Sequence, residues 1–217
     1  MIKENLTRLL AQIPAGVRIV AAGKSRSAAE IQEAIQAGIS VIGENYVREA
    51  EDKFSVIGRD VEWHFIGHLQ KNKVKKAAGI FDMIQSVDSP AIAEEIDRAC
   101  RLKNRIMQVL IEINCAREKG KFGFFPEEVE SMIIQASRLE YIKILGLMTM
   151  GPNLADQEGL RPYFMQMQEL FERIKSRNLP GVEMRYLSMG MSDSYQVAIE
   201  EGANMVRIGT AIFGRRK

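Results

Sequence analysis

The sequence has few of the residues that mark disulfide-rich, metal-binding or membrane proteins. Its 217 residues include two cysteines, two histidines and one tryptophan. Cys100 and Cys115 do not have the short spacing of metal-ligand pairs, so we expect two free thiols and a cytoplasmic location. No apolar run approaches the roughly 20 residues that a membrane-spanning helix needs. The first residues also lack the charged and then apolar order of a signal peptide.

The chain also has little net charge. Its 30 lysines and arginines are nearly balanced by 28 acidic residues, which leaves a formal charge of +2. Such a balance favours neither nucleic acid nor an anionic membrane as a partner. The basic run of Lys71, Lys73, Lys75 and Lys76 is interpreted as a solvated helix face.

Eight short apolar runs alternate with helical patterns along the chain. A parallel sheet is indicated, because strands and helices that alternate in this way form βαβ units. Eight strands predict a single (β/α)8 barrel, a TIM barrel, rather than an open doubly wound sheet, with residues 1–217 as one domain. An extra amphipathic helix from Ile2 to Ile13, ended by Pro14, is predicted before it. The predicted strands are 18–22, 40–42, 62–66, 83–87, 106–113, 142–148, 184–187 and 205–208.

Several helix starts can be predicted from local motifs. Ser27 and Glu30 have the spacing of a capping box, and Ser89-Pro90 is typical of an N-cap followed by a first-turn proline. The acidic segment Pro126-Glu127-Glu128 predicts another helix start. The apolar spacing between residues 156 and 177 predicts a long helix.

Lys24 directly follows the first predicted strand. In a barrel of this type the functional groups lie at the carboxyl ends of the strands. A partly desolvated lysine there can lose its proton and form a Schiff base with a carbonyl compound. A solvated lysine at the start of a loop is the competing interpretation, and local sequence alone favours it.

Other polar residues follow the second and third strands. Asn45 could orient a ligand, or it could cap the next helix. His64 and His68 are four residues apart across a strand end, but a third ligand of suitable type is not evident. We therefore expect no metal site and place His64 in a pocket wall or a hydrogen-bonded core.

Glycine-rich loops follow the last two strands. The loop after the seventh strand contains Ser188, Gly190 and Ser192, and the loop after the eighth contains Gly209 and Thr210. Backbone N–H groups and hydroxyls in these two positions commonly bind phosphate in such barrels. A lysine and a phosphate site at one barrel face fit pyridoxal 5′-phosphate, and they equally fit a phosphosugar bound by a Schiff-base aldolase.

The longer motifs resemble one known family. They match the pyridoxal phosphate homeostasis protein family, also called the proline synthetase co-transcribed homologue family, whose members resemble the N-terminal barrel domain of alanine racemase. The matching segments are 22–25, 42–46, 63–73, 86–89, 146–150, 187–194 and 206–214.

The resemblance implies a role for each matching residue. It implies that Lys24 holds the cofactor as an internal aldimine and that Ser192, Gly209 and Thr210 bind its phosphate. It also implies that Arg207 faces the pyridine nitrogen, where a cation keeps the ring unprotonated and makes it a weaker electron sink. Further family positions around the cofactor fall on Asn45, His64, Met148, Ser188 and Gly190.

The implied function is pyridoxal phosphate (vitamin B6) homeostasis rather than dedicated catalysis. Alanine racemase has a second domain that supplies a tyrosine base, whereas only Lys24 is evident here as an acid–base group. We therefore expect a monomeric protein that buffers pyridoxal phosphate and delivers it to apo-enzymes. A weak amino-acid racemase is the first alternative, and a Schiff-base phosphosugar aldolase is the second.

Overall fold

The eight strands form one closed parallel barrel in chain order, which confirms the predicted TIM-barrel fold. The computed structural model describes residues 1–154 and 156–215. The strands are β1 (Arg18–Ala22), β2 (Val41–Glu44), β3 (Glu62–Phe65), β4 (Met83–Val87), β5 (Met107–Glu112), β6 (Ile142–Met148), β7 (Val182–Ser188) and β8 (Met205–Ile208).

Helices lie between successive strands and at both ends of the described chain. They are α1 (Ile2–Leu10), α2 (Ala28–Gln36), α3 (Val47–Ile57), α4 (Val74–Ile80), α5 (Pro90–Arg101), α6 (Val129–Ala136), α7 (Arg161–Ser176), α8 (Tyr195–Glu200) and α9 (Thr210–Phe213). Short 3-10 helices occupy Lys71–Lys73 and Glu158–Leu160. The predicted N-terminal helix is confirmed, although it ends at Leu10 rather than Ile13, and its buried Ile2, Leu6 and Leu9 lie on the helix that packs against α2 and α9.

The capping motifs explain where two helices begin. Ser27 accepts a hydrogen bond from the Glu30 amide at 3.2 Å, and the Glu30 carboxylate accepts one from the Ser27 amide at 2.8 Å. Ser89 accepts from the Ile92 amide at the start of α5. Both predicted caps are therefore present, and each satisfies an N–H group that the helix itself leaves unpaired.

The predicted start of α6 is wrong. Residues 126–128 form a turn, and the helix begins at Val129. The Glu128 carboxylate instead accepts a hydrogen bond from the Phe125 amide at 2.8 Å. The long helix predicted from 156 is also shorter, because a 3-10 helix precedes α7.

Apolar side chains fill the barrel and the layer between sheet and helices. The outer layer holds the largest buried side chains, among them Trp63, Phe65, Phe81 and Phe164. A separate apolar cluster fills the barrel interior, as is usual in this fold. Its members are Val20, Val41, Ile66, Met83, Leu110, Leu145, Met148 and Met205.

The structure shows the positions of the basic run and of the two cysteines. Lys71, Lys73, Lys75 and Lys76 are all exposed, as expected for a solvated face. Cys100 and Cys115 are buried free thiols. Among the helices of the described residues, none combines the length and apolar character needed to cross a membrane.

Candidate functional site

A cavity of about 260 Å³ opens at the carboxyl ends of the strands. Its position is the one at which barrels of this type bind their ligands. Six of the ten residues predicted for the site line it, and they come from four different strands, either from the strand itself or from the segment that follows it. These six are Lys24, Asn45, Ser192, Arg207, Gly209 and Thr210.

The loop that carries Lys24 is anchored by hydrogen bonds at the residues before and after this lysine. The Gly23 carbonyl accepts a hydrogen bond from Lys53 Nζ at 2.7 Å, and the Ser25 amide donates to Glu49 at 2.9 Å. Lys24 Nζ lies 5.2 Å from the centre of the Tyr46 ring, within the range of a cation–π contact. The loop therefore presents a half-buried amine on one wall of the cavity.

Arg207 places a cation at the floor of the cavity. Only 3% of the residue is exposed. Its guanidinium donates to Ser188 Oγ and to the Thr149 carbonyl, each at 2.7 Å. Burial lowers the pKa of Arg207 to about 10, and the nearby Glu112 opposes that shift. The side chain remains charged at neutral pH, because this pKa is still well above 7.

The loops after β7 and β8 meet at Ser192. Its hydroxyl oxygen accepts hydrogen bonds from the amides of Gly209 at 3.2 Å and Ala211 at 3.1 Å. A hydroxyl that accepts two N–H groups still has its own proton to donate. Ser192 and Thr210 therefore bring two hydroxyl groups to the side of the cavity that was predicted to bind phosphate.

The other four predicted residues lie beneath or beside the cavity. Ser188 and His64 are completely buried under Arg207, where they belong to a chain of hydrogen bonds. Met148 is also completely buried and packs in the apolar barrel interior. Gly190 has a φ of +90°, and its carbonyl accepts the Arg207 amide at 3.1 Å.

The two histidines contact different carboxylates. His64 Nε2 lies 2.7 Å from Glu62, and His68 Nδ1 lies 2.7 Å from Asp88. In the part of the chain that the structure describes, no group of three or more His, Cys, Asp or Glu side chains is arranged to hold a metal ion. Among the predicted residues, those at the mouth bring an amine, a guanidinium, an amide and two hydroxyl groups to the cavity.

Comparison with known proteins identifies the family. Residues 1–217 match the family described as alanine racemase, N-terminal domain. A pyridoxal phosphate homeostasis protein of Aquifex aeolicus is 41% identical over 201 residues, which are 92% of this chain and 87% of that protein. The chain belongs to the pyridoxal phosphate homeostasis protein family.

Solved structures support the assignment to this family. The PipY protein of Synechococcus elongatus without pyridoxal phosphate (PLP) is 35% identical, with a TM-score of 0.93 over 99% of this chain and 100% of that one. The PipY structure with PLP bound is 34% identical, with a TM-score of 0.91 over the same shares of the two chains. The barrel and its additional N-terminal helix are thus the fold of the family.

In this member of the homeostasis family, sequence reasoning missed several residues at the cavity. Arg26, Met150, Met191 and Asp193 line it, although none was predicted. All four lie within three residues of a predicted site residue or of a strand end, so position alone could have suggested them. Position in the sequence does not show which of the loop side chains point into the cavity, because their direction depends on the path of each loop.

A second cavity of about 450 Å³ adjoins the first and shares Met150, Met191 and Asp193 with it. Glu112 lines this cavity from the end of β5, and only 8% of the residue is exposed. Burial, together with the charge of Asp88, raises the pKa of Glu112 to about 7. Sequence reasoning missed this carboxyl group, since an acid at the end of an apolar strand gives no sign of its burial.

Proposed function

We propose that this chain binds pyridoxal 5′-phosphate in the mouth cavity and serves to buffer and deliver it. One observation carries the proposal. Lys24, Arg207 and the Ser192–Thr210 hydroxyl pair line a single cavity, in a chain that belongs to the pyridoxal phosphate homeostasis protein family. The PLP-bound structure of PipY, a relative of the same fold, supports it further.

The residues at the cavity fit such a ligand in size and charge. The cavity volume of about 260 Å³ lies just below the range of about 300–1,000 Å³ that is typical of small-molecule pockets. The cavity therefore suits one compact molecule. Lys24 and the hydroxyls of Ser192 and Thr210 belong to the same lining. When bound, pyridoxal phosphate supplies an aldehyde, with which a neutral lysine amine forms a carbon–nitrogen double bond and releases water, and a phosphate that anchors it.

Each side chain has a distinct task in this proposal. Lys24 provides the amine, and its anchored loop limits the positions that the amine can take. Ser192 and Thr210 donate hydroxyl protons to an anion. Arg207 holds a positive charge at the floor, which disfavours protonation of any ring nitrogen placed against it. A ligand ring held in that way is a poor electron sink, and this fits a carrier better than a dedicated catalyst.

A reductive labelling experiment tests the proposal. Purified protein is mixed with pyridoxal phosphate, its visible absorbance is recorded, and borohydride is added before peptide mass analysis. We expect an absorbance band that borohydride removes and a mass increase on the peptide that contains Lys24. Lys24→Ala should lose both signals. Lys71→Ala, which removes an exposed lysine, should keep both.

The outcomes also separate the alternatives. A wild type that takes up no pyridoxal phosphate contradicts the proposal. If borohydride then modifies Lys24 only when a phosphosugar is present, the Schiff-base aldolase becomes the better interpretation.

Weak amino-acid racemase activity is the second candidate function, and Glu112 is the observation that favours it. Its pKa of about 7 allows it to give or take a proton near neutral pH, in the cavity that adjoins the mouth. Racemisation of alanine with added pyridoxal phosphate, lost in both Lys24→Ala and Glu112→Gln, would support this function. Turnover that persists in Glu112→Gln would remove the case for it.

The same proposal covers the cellular setting. We propose a single-domain monomer of residues 1–217 that acts in the cytoplasm and transfers its cofactor to apo-enzymes. The buried free thiols of Cys100 and Cys115 suit a reducing compartment. Light scattering of the purified chain tests the oligomeric state. Activation of an apo-enzyme by the loaded protein, at a rate above that of free release, tests the transfer.

A further inference from the structure

A continuous chain of polar side chains runs through the otherwise apolar interior of the barrel. Its three central members, His64, Gln85 and Ser188, are completely buried. This hydrogen-bonded chain of side chains starts at Arg207 beside the mouth cavity and ends at Glu62 on β3. Its four hydrogen bonds join Arg207 Nη1 to Ser188 Oγ, Ser188 Oγ to Gln85 Oε1, Gln85 Nε2 to His64 Nδ1 and His64 Nε2 to Glu62 Oε1, each at 2.7 Å.

With the Gln85 amide oriented as it is in the structure, the donors and acceptors along these four bonds fix the position of each proton. A guanidinium has no acceptor, so the Ser188 oxygen accepts from Arg207 and its proton is donated onward to Gln85. The Gln85 oxygen is then the acceptor, which leaves its NH₂ group to donate to His64 Nδ1. Gln85 Nε2 also lies 3.2 Å from the sulfur of Met205, an acceptor, and this supports the same amide orientation.

The histidine is thereby restricted to one tautomer. Because His64 Nδ1 accepts from Gln85, the ring proton is on Nε2, where it is donated to Glu62. This bond holds the pKa of Glu62 down at about 2, and burial lowers the pKa of His64, so the carboxylate is ionised and the ring neutral. Arg18 also bonds Glu62, at 2.5 Å, and Asp82 is the other charged group that acts on the ring.

The surroundings make each of these bonds costly to lose. The chain passes through the interior cluster, where Met83 and Met205 are completely buried. A donor or acceptor left without its partner in such a place retains the full desolvation penalty. Rotation of the Arg207 head group away from Ser188 would therefore leave the buried serine oxygen without the donor that Arg207 provides.

We propose that Gln85 is a positioning residue that, through Ser188, fixes the direction of the Arg207 guanidinium toward the cofactor cavity. The Thr149 carbonyl holds the second nitrogen of the same guanidinium at 2.7 Å, so Gln85 and Thr149 act on its two arms. The identity of the ligand rests on the function proposed above, whereas the arrangement of the side chains does not.

Nuclear magnetic resonance of the ligand-free protein tests the arrangement without any ligand. With ¹⁵N-labelled histidine, only the rings of His64 and His68 give signals. The signals that disappear in His68→Gln belong to His68, so the remaining ones belong to His64. We expect His64 to be neutral with its proton on Nε2, and the two Nη groups of Arg207 to give separate signals. In Gln85→Leu these Nη signals should merge as the guanidinium rotates more freely. A proton on Nδ1, or Nη signals unchanged in Gln85→Leu, would overturn the proposal.

A double-mutant cycle on pyridoxal phosphate affinity tests the action through Arg207. Gln85→Leu should weaken binding about tenfold in the wild-type background and less than about twofold in the Arg207→Met background, since residues that act through one another are not additive. Gln108→Leu, an exposed glutamine on β5, is the matched control and should leave binding unchanged. Equal losses in the two backgrounds would show a general structural effect and would overturn the proposal.

A second variant guards against poor folding of Gln85→Leu. Ser188→Ala removes a single oxygen from the same chain and should reproduce the loss of affinity and the merged Nη signals. Wild type that binds no pyridoxal phosphate contradicts the proposed function, and the Nη signals then decide the role of Gln85. If wild type binds pyridoxal phosphate and Gln85→Leu binds it equally tightly, only the positioning role of Gln85 is contradicted.

Discussion

The ammonium group of Lys53 lies 2.7 Å from a carboxylate oxygen of Glu44, and both side chains are buried. The same ammonium donates to the Gly23 carbonyl, one residue before Lys24. Burial raises the pKa of Glu44 to about 7, although its bond with Lys53 opposes the change. This pair therefore anchors the loop of the site amine from behind, and the burial of its charges makes the two partners depend on each other.

Removal of one partner of this pair should be costly. We expect Lys53→Met to lower the free energy of unfolding by about 3 kcal/mol, because it leaves Glu44 buried without its partner and frees the Gly23 carbonyl. Denaturant unfolding measures the change, and Lys75→Met, on an exposed face, should have little effect. The double variant Lys53→Met with Glu44→Leu should recover much of the loss, and failure to do so would refute the pairing argument.

The fold was predictable because its signals are local. Each apolar run, such as 83–87 or 205–208, coincides with a strand in the structure, and eight of them determine the barrel. The exceptions depend on other parts of the chain. Strand β7 begins at Val182, two residues before the predicted start, where Val182 pairs with Ile144 of the neighbouring strand.

The site was predictable only where a residue directly follows a strand. Lys24, Gly209 and Thr210 could be placed at the mouth in that way, whereas Arg207 lies within β8 and its role came only from the resemblance to the family. Gln85 could not, although it is visible as a polar residue inside an apolar strand. Its partner Ser188 is 103 residues away, and the contact arises only when the barrel closes.

The buried carboxyl of Glu112 should make stability depend on pH. Its pKa rises from an ordinary value of 4.5 to about 7 in the folded protein, so the folded state holds this proton more tightly than the unfolded chain does. Its contribution to the free energy of unfolding therefore falls as the pH rises from about 4.5 to about 7 and then stays constant. Glu112→Gln should be about 3 kcal/mol more stable than wild type at pH 8 and nearly equal to it at pH 4.

Denaturant unfolding of both proteins at the two pH values measures this difference. Glu33→Gln changes an exposed carboxyl and should show the wild-type stability at each pH. If Glu112→Gln is no more stable than wild type at pH 8, the carboxyl is not held in its protonated form by the fold.

Gly190 should not tolerate a side chain. Its φ is +90°, and an added Cβ atom would lie 2.6 Å from Ala198 Cβ and 3.0 Å from Tyr195 Cα. Gly190→Ala should therefore cost about 3 kcal/mol of unfolding free energy, from both backbone strain and overpacking. At Gly16, in contrast, an added Cβ has no neighbour within 4 Å, so Gly16→Ala should be nearly neutral. Equal stability of the two variants would contradict this account of the loop.

Ser192 should contribute to anion binding through its hydroxyl proton. Its oxygen already accepts the amides of Gly209 and Ala211, so these N–H groups act on a ligand through the serine. Ser192→Ala should weaken the binding of pyridoxal phosphate and of inorganic phosphate about tenfold, which is the effect of one hydrogen bond to a charged group. Calorimetric titration measures both ligands, and Ser55→Ala, a serine whose bond to Asp52 is exposed, is the control. Tighter binding by Ser192→Ala would show instead that the two amides contact the anion directly and that the serine competes with it.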